Sequence, residues 1–449
     1  MGVFFYILSE KGIASRNRAE RASICYNFKD YMASTTSIKK SPSDRLASWI
    51  MEQWWKVLVC IPVTALLGPI ASLPLLGRQY EITVPEIIIG TSIVLSVCLW
   101  VSRQRPRGFR ATPIGGALLV ILGWMLLSGA WVESLDKYAI ALRVVIYQMA
   151  TFFLMLNFFR TSRQIRAGLW SVALLGVGAA AMTILTIIDI PFRQLFTANR
   201  ALIVMPMGAL SYVAAMIAMF IPLLLFLTTI EKKPIATWLL RSFYTLALVA
   251  LLYAAGKAAI LSTIIGLGVF LIFNKKQRFP ALVATFFAVC IFIALADREV
   301  ATHTFERFQD IAIDASTSFR TLELGAARQI FMSHWLIGTG AGNLKIAYKA
   351  ITGFYEGEAN NIIVQFGAEL GIIGLGLFSL LIAQGIRWFR SLVDQGGEKR
   401  MLVFGMLPFF VTVAINAMFE VTIVGLLYGI FFWYILALFY RYAEIEEKI

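Results

Sequence analysis

The sequence predicts an all-α membrane protein of about twelve spanning helices, with one large loop ahead of the tenth. Three observations carry this expectation. Apolar runs of about 20 residues recur along the chain, and a helix of that length spans a bilayer. Hydrophobic residues make up 59% of the 449 residues and charged residues only 15%, too few charges to cover a soluble protein of this size. The short loops are basic on every second side of the runs, which is how cytoplasmic loops set topology.

The runs fall at 54–76, 85–101, 112–131, 138–158, 167–188, 205–230, 235–254, 258–273, 279–296, 362–386, 401–418 and 420–440. With the N-terminus placed in the cytoplasm, the inner loops hold Arg103, Arg105, Arg107 and Arg110, then Arg160, Arg163 and Arg166. Further on they hold Lys232 and Lys233, Lys275, Lys276 and Arg278, and finally Arg387, Arg390, Lys399 and Arg400. Loops on the other side, such as WVESLDK, are nearly neutral. Both termini are therefore expected in the cytoplasm and the polar loop 297–359 outside, as for a multi-pass protein of a bacterial inner membrane. The domain expectation is a cytoplasmic tail over 1–53, one membrane domain over 54–440 and a second tail over 441–449. The brief VFFYIL near the start is no signal-peptide core.

The formal net charge of +14 is accounted for by those cytoplasmic loops, so the expected partner is the lipid bilayer and no nucleic acid. Cys60, Cys98 and Cys290 sit inside apolar runs, Cys25 lies in the tail, and His303 and His334 show no metal-ligand spacing. No disulfide, metal site or cofactor is expected.

Function is sought where the charge rule fails. Arg143 lies in ALRVVIYQ, near the outer end of the fourth run. Arg193 and Arg200 lie in PFRQLFTANRAL, Lys257 in the turn AAGKAAIL, and Arg320 and Arg328 in the long loop. A cation in the hydrocarbon costs about 2.5–3.5 kcal/mol at mid-bilayer on insertion scales, and less near the edge, where long side chains snorkel. Taken singly, each reads as a snorkelling or loop residue. Taken together, they suit an anionic group at the outer leaflet, such as a lipid-linked pyrophosphate, because guanidinium groups hold phosphate with a planar fork of donors.

Two carboxylates stand at the same level. Glu420 opens the last run, and Glu369 lies about two turns into the tenth. Each is either a partner for an arginine or a proton acceptor. Gly338, Gly340 and Gly342 in SHWLIGTGAGNL resemble a phosphate-binding glycine pattern, but no strand precedes them, so a backbone turn is the expected role.

The stretches SFRTLELGAARQIFMSHWLIGTGAGNL (318–344) and ANNIIVQFGAELGIIGLGLF (359–378) resemble the O-antigen ligase and polymerase superfamily of bacterial membrane glycosyltransferases. The matching residues are Arg320, His334, Gly338, Gly340, Asn361, Gln365, Glu369, Gly371 and Gly374, and Arg200 resembles the family's outer-loop arginine. The resemblance implies a GT-C-like fold. It implies metal-independent transfer of an undecaprenyl-diphosphate-linked oligosaccharide, either onto lipid A core by a ligase or onto another lipid-linked glycan by a polymerase. In that reading Arg200, Lys257, Arg320 and Arg143 hold the pyrophosphate, Asn360 positions the acceptor, and Glu420 or Glu369 takes its proton.

Two departures bear on the chemistry. The family's histidine ahead of the paired asparagine is Asn360 here, and Lys257 stands where an arginine is common. An amide has no proton to exchange near neutral pH, and lysine keeps the charge without the fork. The first departure marks a divergent member and favours an exopolysaccharide-type polymerase over a ligase. The alternatives at this point are a membrane transporter and a non-catalytic relative. Major-facilitator transporters carry their long loop inside, between spans six and seven, where this chain has only EKKP. A simpler role for Asn360 is to cap the helix that follows it.

The orientation is testable by reporter fusion. Fusions at Gln277 and Gly396 should report the cytoplasm, and a fusion at Tyr348 the periplasm. An inward-facing Tyr348 would overturn the topology.

Overall fold

Each apolar run folds as helix over much of its length in the computed structural model, which describes residues 49–50, 52–75, 78–101, 110–188, 203–295, 315–353 and 359–445. The chain divides into two units, Met1–Met51 and Glu52–Ile449. Of the first, only residues 49–50 are described, and they are helical. The tail expectation, with Cys25, otherwise lies outside the described residues.

The second unit begins with α1 (Trp55–Thr64), a hairpin of β1 (Pro69–Leu75) and β2 (Arg78–Thr83), α2 (Val84–Val101), α3 (Pro113–Ser128), α4 (Leu135–Phe158) and α5 (Ser162–Ile188). A two-residue pairing of β3 (Val204–Met205) with β4 (Gly208–Ala209) leads into α6 (Leu210–Ile230). There follow α7 (Pro234–Ala254), α8 (Lys257–Phe273), α9 (Arg278–Leu295), α10 (Ala315–Ser333) and α11 (Leu344–Thr352). The chain ends with α12 (Ile362–Asp394), α13 (Gly397–Ala417) and α14 (Leu426–Ile445).

Among the described residues, eight helices are long and apolar enough to cross a membrane: α4, α5, α6, α7, α9, α12, α13 and α14. The apolar helices of the remaining runs, α1, α2, α3 and α8, are shorter. The 16 residues of α3 reach about 24 Å, against about 30 Å of hydrocarbon.

Several expected boundaries are corrected. The first run does not continue as helix to residue 76. Gly68 takes φ +68°, and the prolines at 69 and 74 lie in β1, which pairs antiparallel with β2. The last helix starts at Leu426 rather than at Glu420 and runs to Ile445. The tenth run is not one straight span. Its helix is broken at Gly371, which has φ +67° and ψ −167°, so 362–370 is a short helix standing ahead of the long one at 372–394. Glu369 therefore sits at the end of that short helix and not two turns inside a span. The polar loop is also built: α10 and α11 lie within it.

The core forms around two helices that are apolar on every face, the pattern of a helix enclosed by others. Almost all of α6 and most of α14 is buried. Around α6 pack α5, α7, α8 and α13, while α14 packs against α4 and α5. The two central helices meet through aromatic pairs, Tyr212 with Tyr428, Phe220 with Phe431 and Phe226 with Phe439. Small residues let the backbones approach, as membrane helices require when lipid supplies no hydrophobic drive between them. Gly176 faces the Phe220 ring, Gly405 the Phe226 ring, and Gly266 of α8 lies against Thr412 of α13.

The α8–α13 pair is antiparallel. The Thr412 hydroxyl donates to the Ser262 carbonyl at 3.3 Å, and further along the Asn274 amide donates to the Phe404 carbonyl at 3.2 Å. This order brings the start of α8, with Lys257, beside the end of α13 and the Glu420 turn.

Glycine spacing gives a direct test of the packing. A Cβ at Gly266 would overlap the Thr412 hydroxyl and approach the Pro408 carbonyl at 3.1 Å, whereas Gly268 faces open space. Gly266→Ala should destabilise the detergent-solubilised protein by about 1–3 kcal/mol. Gly268→Ala should be neutral or stabilising by up to about 1 kcal/mol. Equal melting temperatures for the two variants would show that α8 and α13 do not meet at Gly266.

Candidate active site

The candidate site is organised by a clasp between the Gly338–Gly342 turn and the break in α12. A helix that stops at residue 370 leaves carbonyls without partners. The turn supplies the donors: Thr339 N–H bonds the Ala368 carbonyl at 3.0 Å and Gly340 N–H bonds the Glu369 carbonyl at 2.8 Å. In the reverse direction, Ile372 N–H, just beyond the break, bonds the Trp335 carbonyl at 2.8 Å. The approach is close enough that a Cβ on Gly338 would overlap the Glu369 backbone, and one on Gly371 the Leu336 carbonyl. Both residues take positive φ, as do Gly340 and Gly342, so their side of the Ramachandran map also favours glycine.

The same turn is fastened to the membrane helices. Ala341 N–H donates to the Ser128 hydroxyl at 3.2 Å. Asn343, almost wholly buried, accepts from Ser134 N–H at 2.8 Å and donates to the Ala341 carbonyl at 3.1 Å. Ala341 and Leu370 pack with Ile121 and Met125 of α3.

Glu369 and Gln365 extend the clasp. The Glu369 carboxylate accepts Gly342 N–H at 3.0 Å and also the Gln365 side-chain amide. The Gln365 carbonyl oxygen in turn accepts Ala359 N–H at 3.1 Å. These bonds tie the segment entering α12 to the glycine turn.

The cap of α12 is Asn361, not Asn360. The Asn361 carbonyl oxygen accepts from Ile363 N–H at 3.0 Å and Val364 N–H at 3.2 Å, and its amide reaches the Met418 carbonyl at 3.1 Å. The capping role considered for Asn360 is therefore corrected by one residue. Asn360 stands outside the helix with φ +49°, a left-handed conformation that asparagine tolerates better than most residues. Its amide donates to the carboxylate of Glu323 on α10. Glu323 is only 5% exposed.

An apolar groove of about 450 Å³ runs between α10 and α12. Leu324, Arg328 and Phe331 line one side, and Ile363, Val364 and Leu375 the other. Beneath it, Ala327 and Ile330 of α10, Leu344 and Tyr348 of α11, and Ala368 of α12 form a buried cluster.

The expected cations are placed differently from one another. Arg143 is held by Glu86: its Nε lies 2.9 Å from the carboxylate, with a further ion-pair contact, and it donates to the Glu81 carbonyl at 2.9 Å. Glu86 is 2% exposed and also accepts Thr83 N–H at 2.9 Å, closing the Thr-Val-Pro-Glu start of α2 as a capping box. Lys257 is half-buried at the first position of α8, after Ala255 turns the chain at φ +46°. Glu420 is half-buried in the turn after α13, where its N–H bonds the Asn416 carbonyl at 2.8 Å. Arg320 lies one helical turn ahead of Glu323 in α10, and its side chain lies outside the described residues, as do Arg193 and Arg200. His334, exposed at the end of α10, bonds the Ser333 hydroxyl at 3.0 Å.

The structure thus brings together Glu323, Asn360, Asn361, Gln365, Glu369 and the glycine turn. Glu323 and Glu86 are absent from the residues singled out by sequence. Glu86 had a signal, the Thr-x-x-Glu box before an apolar run. Glu323 had only its place three residues after Arg320, one turn along a helix.

The cap assignment has a simple check. Asn361→Ala should destabilise the protein by about 0.5–2 kcal/mol, while Asn361→Asp, which keeps the acceptor, should retain most of the stability. Equal melting temperatures for the two would remove the cap.

No curated protein sequence matches the chain significantly. Residues 242–379 match the family model described as O-antigen ligase, a span that includes α10, the glycine turn, Asn360 and the break at Gly371. Over residues 242–379 the chain is thus similar to the O-antigen ligase family.

Proposed function

We propose that this protein transfers or polymerises an undecaprenyl-diphosphate-linked glycan at the periplasmic face of the inner membrane, in the synthesis of a surface polysaccharide. The match of residues 242–379 to the O-antigen ligase family model supports glycan processing of the ligase or polymerase type, and the long apolar helices support a multi-pass membrane enzyme. The observation that carries the finer reading is the α10–turn–α12 clasp. It fixes a buried carboxylate–amide pair, Glu323 with Asn360, and an apolar groove opens between the same α10 and α12.

The chemistry is an attack by an acceptor hydroxyl on the anomeric carbon of the donor sugar. The anomeric C–O bond breaks and the electron pair leaves on the lipid diphosphate. Lowering that barrier is mainly electrostatic work, done by fixed cations that meet developing charge in a partly dry site. Arg200, Arg320 and Lys257 are proposed to meet it, with Arg143 contributing from its pair with Glu86. Asn360 is proposed to position the acceptor hydroxyl, and Glu420, in the turn after α13, to take its proton. Glu369 is assigned to holding the glycine turn, because protonating its carboxylate would weaken the bond it accepts from Gly342. The acceptor is proposed to be a second lipid-linked glycan, as in exopolysaccharide polymerisation; lipid A core is the other acceptor class the family supplies.

A deletion strain should accumulate the lipid-linked repeat and lose the long polymer. Arg200→Ala and Arg320→Ala, expressed at wild-type levels, should fail to restore it. Lysine at either position should restore it in part, because charge returns without the fork. Normal polymer in the deletion strain would overturn the function, and full restoration by both alanine variants would remove these arginines from the site.

A further inference from the structure

The two helices joined at the clasp are short for the bilayer they cross. From Ile372, after the break in α12, to Ile386 no residue is charged, and Arg387 and Arg390 follow. That stretch reaches about 22 Å at 1.5 Å per residue, and α3, whose end bonds Ala341 of the turn, reaches about 24 Å. Against about 30 Å of hydrocarbon, each leaves about 6–8 Å of apolar thickness to be matched on the large-loop side.

The end of α10 lies at that level. Ile372 N–H bonds the Trp335 carbonyl at 2.8 Å, and Gly371 abuts the Leu336 backbone. From this point α10 runs back alongside residues 362–370, since Phe331 faces Gly367 as Leu336 faces Gly371. The inner face of α10, with Ala326, Ala327 and Ile330, is buried against its neighbours. On the outer side Met332, Trp335 and Leu336 are 65%, 56% and 48% exposed, too much apolar surface at one helix end to be incidental. It is continuous with the outward stripe of the spanning part of α12, which starts at Ile372 and Ile373 and goes on through Leu380, Ile382 and Ile386. The polar groups at this end of α10 are satisfied locally: the Ser333 hydroxyl donates to the Ile330 carbonyl at 2.9 Å, and the His334 ring lies 3.0 Å from the same hydroxyl.

We propose that the C-terminal end of α10 is immersed in the phospholipid leaflet on the large-loop side, with Met332, Trp335 and Leu336 covered by lipid and Arg328 at the level of the lipid phosphates. A depth of about 5–10 Å is usual for an interfacial helix, and it matches the thickness left over by α12 and α3. Tryptophan is favoured at that boundary because its ring is amphipathic. For a helix standing near the membrane normal, about 6–8 Å back from Leu336 is four or five residues, which ends between Met332 and Arg328. Arg328 is exposed and is the charged member of the groove lining, so its guanidinium meets the phosphate layer while its stem lies against the apolar wall. The groove continues past the break to Leu375, one turn inside the spanning segment, and therefore opens sideways into the leaflet. A lipid-borne molecule would reach it by lateral diffusion without leaving the membrane. This placement is independent of the transfer reading above.

The test uses the full chain in phospholipid nanodiscs, with Cys25, Cys60, Cys98 and Cys290 replaced by Ala and one nitroxide-labelled cysteine at a time. Collisional relaxation by oxygen, which concentrates in lipid, is compared with relaxation by a water-soluble nickel chelate. Leu380→Cys is the reference for hydrocarbon and Glu398→Cys the reference for water. Labels at Met332→Cys and Trp335→Cys should behave like Leu380, relaxed by oxygen and with loss of access to nickel. A label at Leu322→Cys, equally exposed but ten residues further back along α10, should be open to nickel like Glu398. Either of the 332 and 335 sites decides the outcome if the other variant fails to fold. Nickel access at these sites would overturn the proposal and show that the bilayer thins around a loop that stays in water. Labels shielded from both relaxants would overturn it in favour of a second copy of the chain covering this face. A lipid-like label at Leu322 would overturn the depth assigned to Arg328.

Discussion

A helix that ends within a membrane protein exposes carbonyls that neither lipid nor a distant water can satisfy, and the rest of this structure depends on how that is resolved at Gly371. The donors come from the Gly338–Gly342 turn, whose N–H groups meet the Ala368 and Glu369 carbonyls. The geometry works only because backbone meets backbone with no Cβ between them. The consequence is mechanical. Within the large loop, α10 and α11 are fastened to α12 by hydrogen bonds on both sides of the break and to α3 and α4 through Ala341 and Asn343.

That fastening explains the division of labour among the polar residues. Gln365, Glu369, Asn361 and Asn343 each bond backbone groups, which commits them to holding the chain in place. Asn360 and Glu323 bond one another through side chains. Arg143 and Glu86 show the contrasting arrangement. There a charge in a membrane helix is neutralised by a buried partner, and breaking such a pair costs more than the pair itself contributes.

Behind the site, α6 and α14 give a rigid support. Their aromatic contacts and the glycines facing them leave little room for one helix to slide past another. The shorter apolar helices α1, α2, α3 and α8 are distributed around this core, and α2 and α3 carry caps of the expected kind, Thr83 with Glu86 and Thr112 with Gly115 N–H. Side chains near the site are thus carried on elements whose positions are fixed from several directions.

The helical class, the apolar runs, the glycine turn and the likeness of the 318–378 region to the O-antigen ligase family were legible in the sequence, because each depends on local composition or on residue types at fixed spacing. So was the role of glycine at 338 and 340, since a turn motif is itself local. What the sequence could not supply were relations between distant segments. The strand at Pro69–Leu75 looked like the end of a helix because apolar content is the same in both, and only pairing with Arg78–Thr83 distinguishes them. The break at Gly371 needed the donors of residues 339 and 340 to be stable, so it was invisible from α12 alone. Asn360 and Asn361 are adjacent and chemically identical, and only the hydrogen bonds decide which one caps the helix. The partner of Asn360 lies 37 residues earlier, on a helix that folding brings alongside, and no periodicity within either segment encodes that meeting.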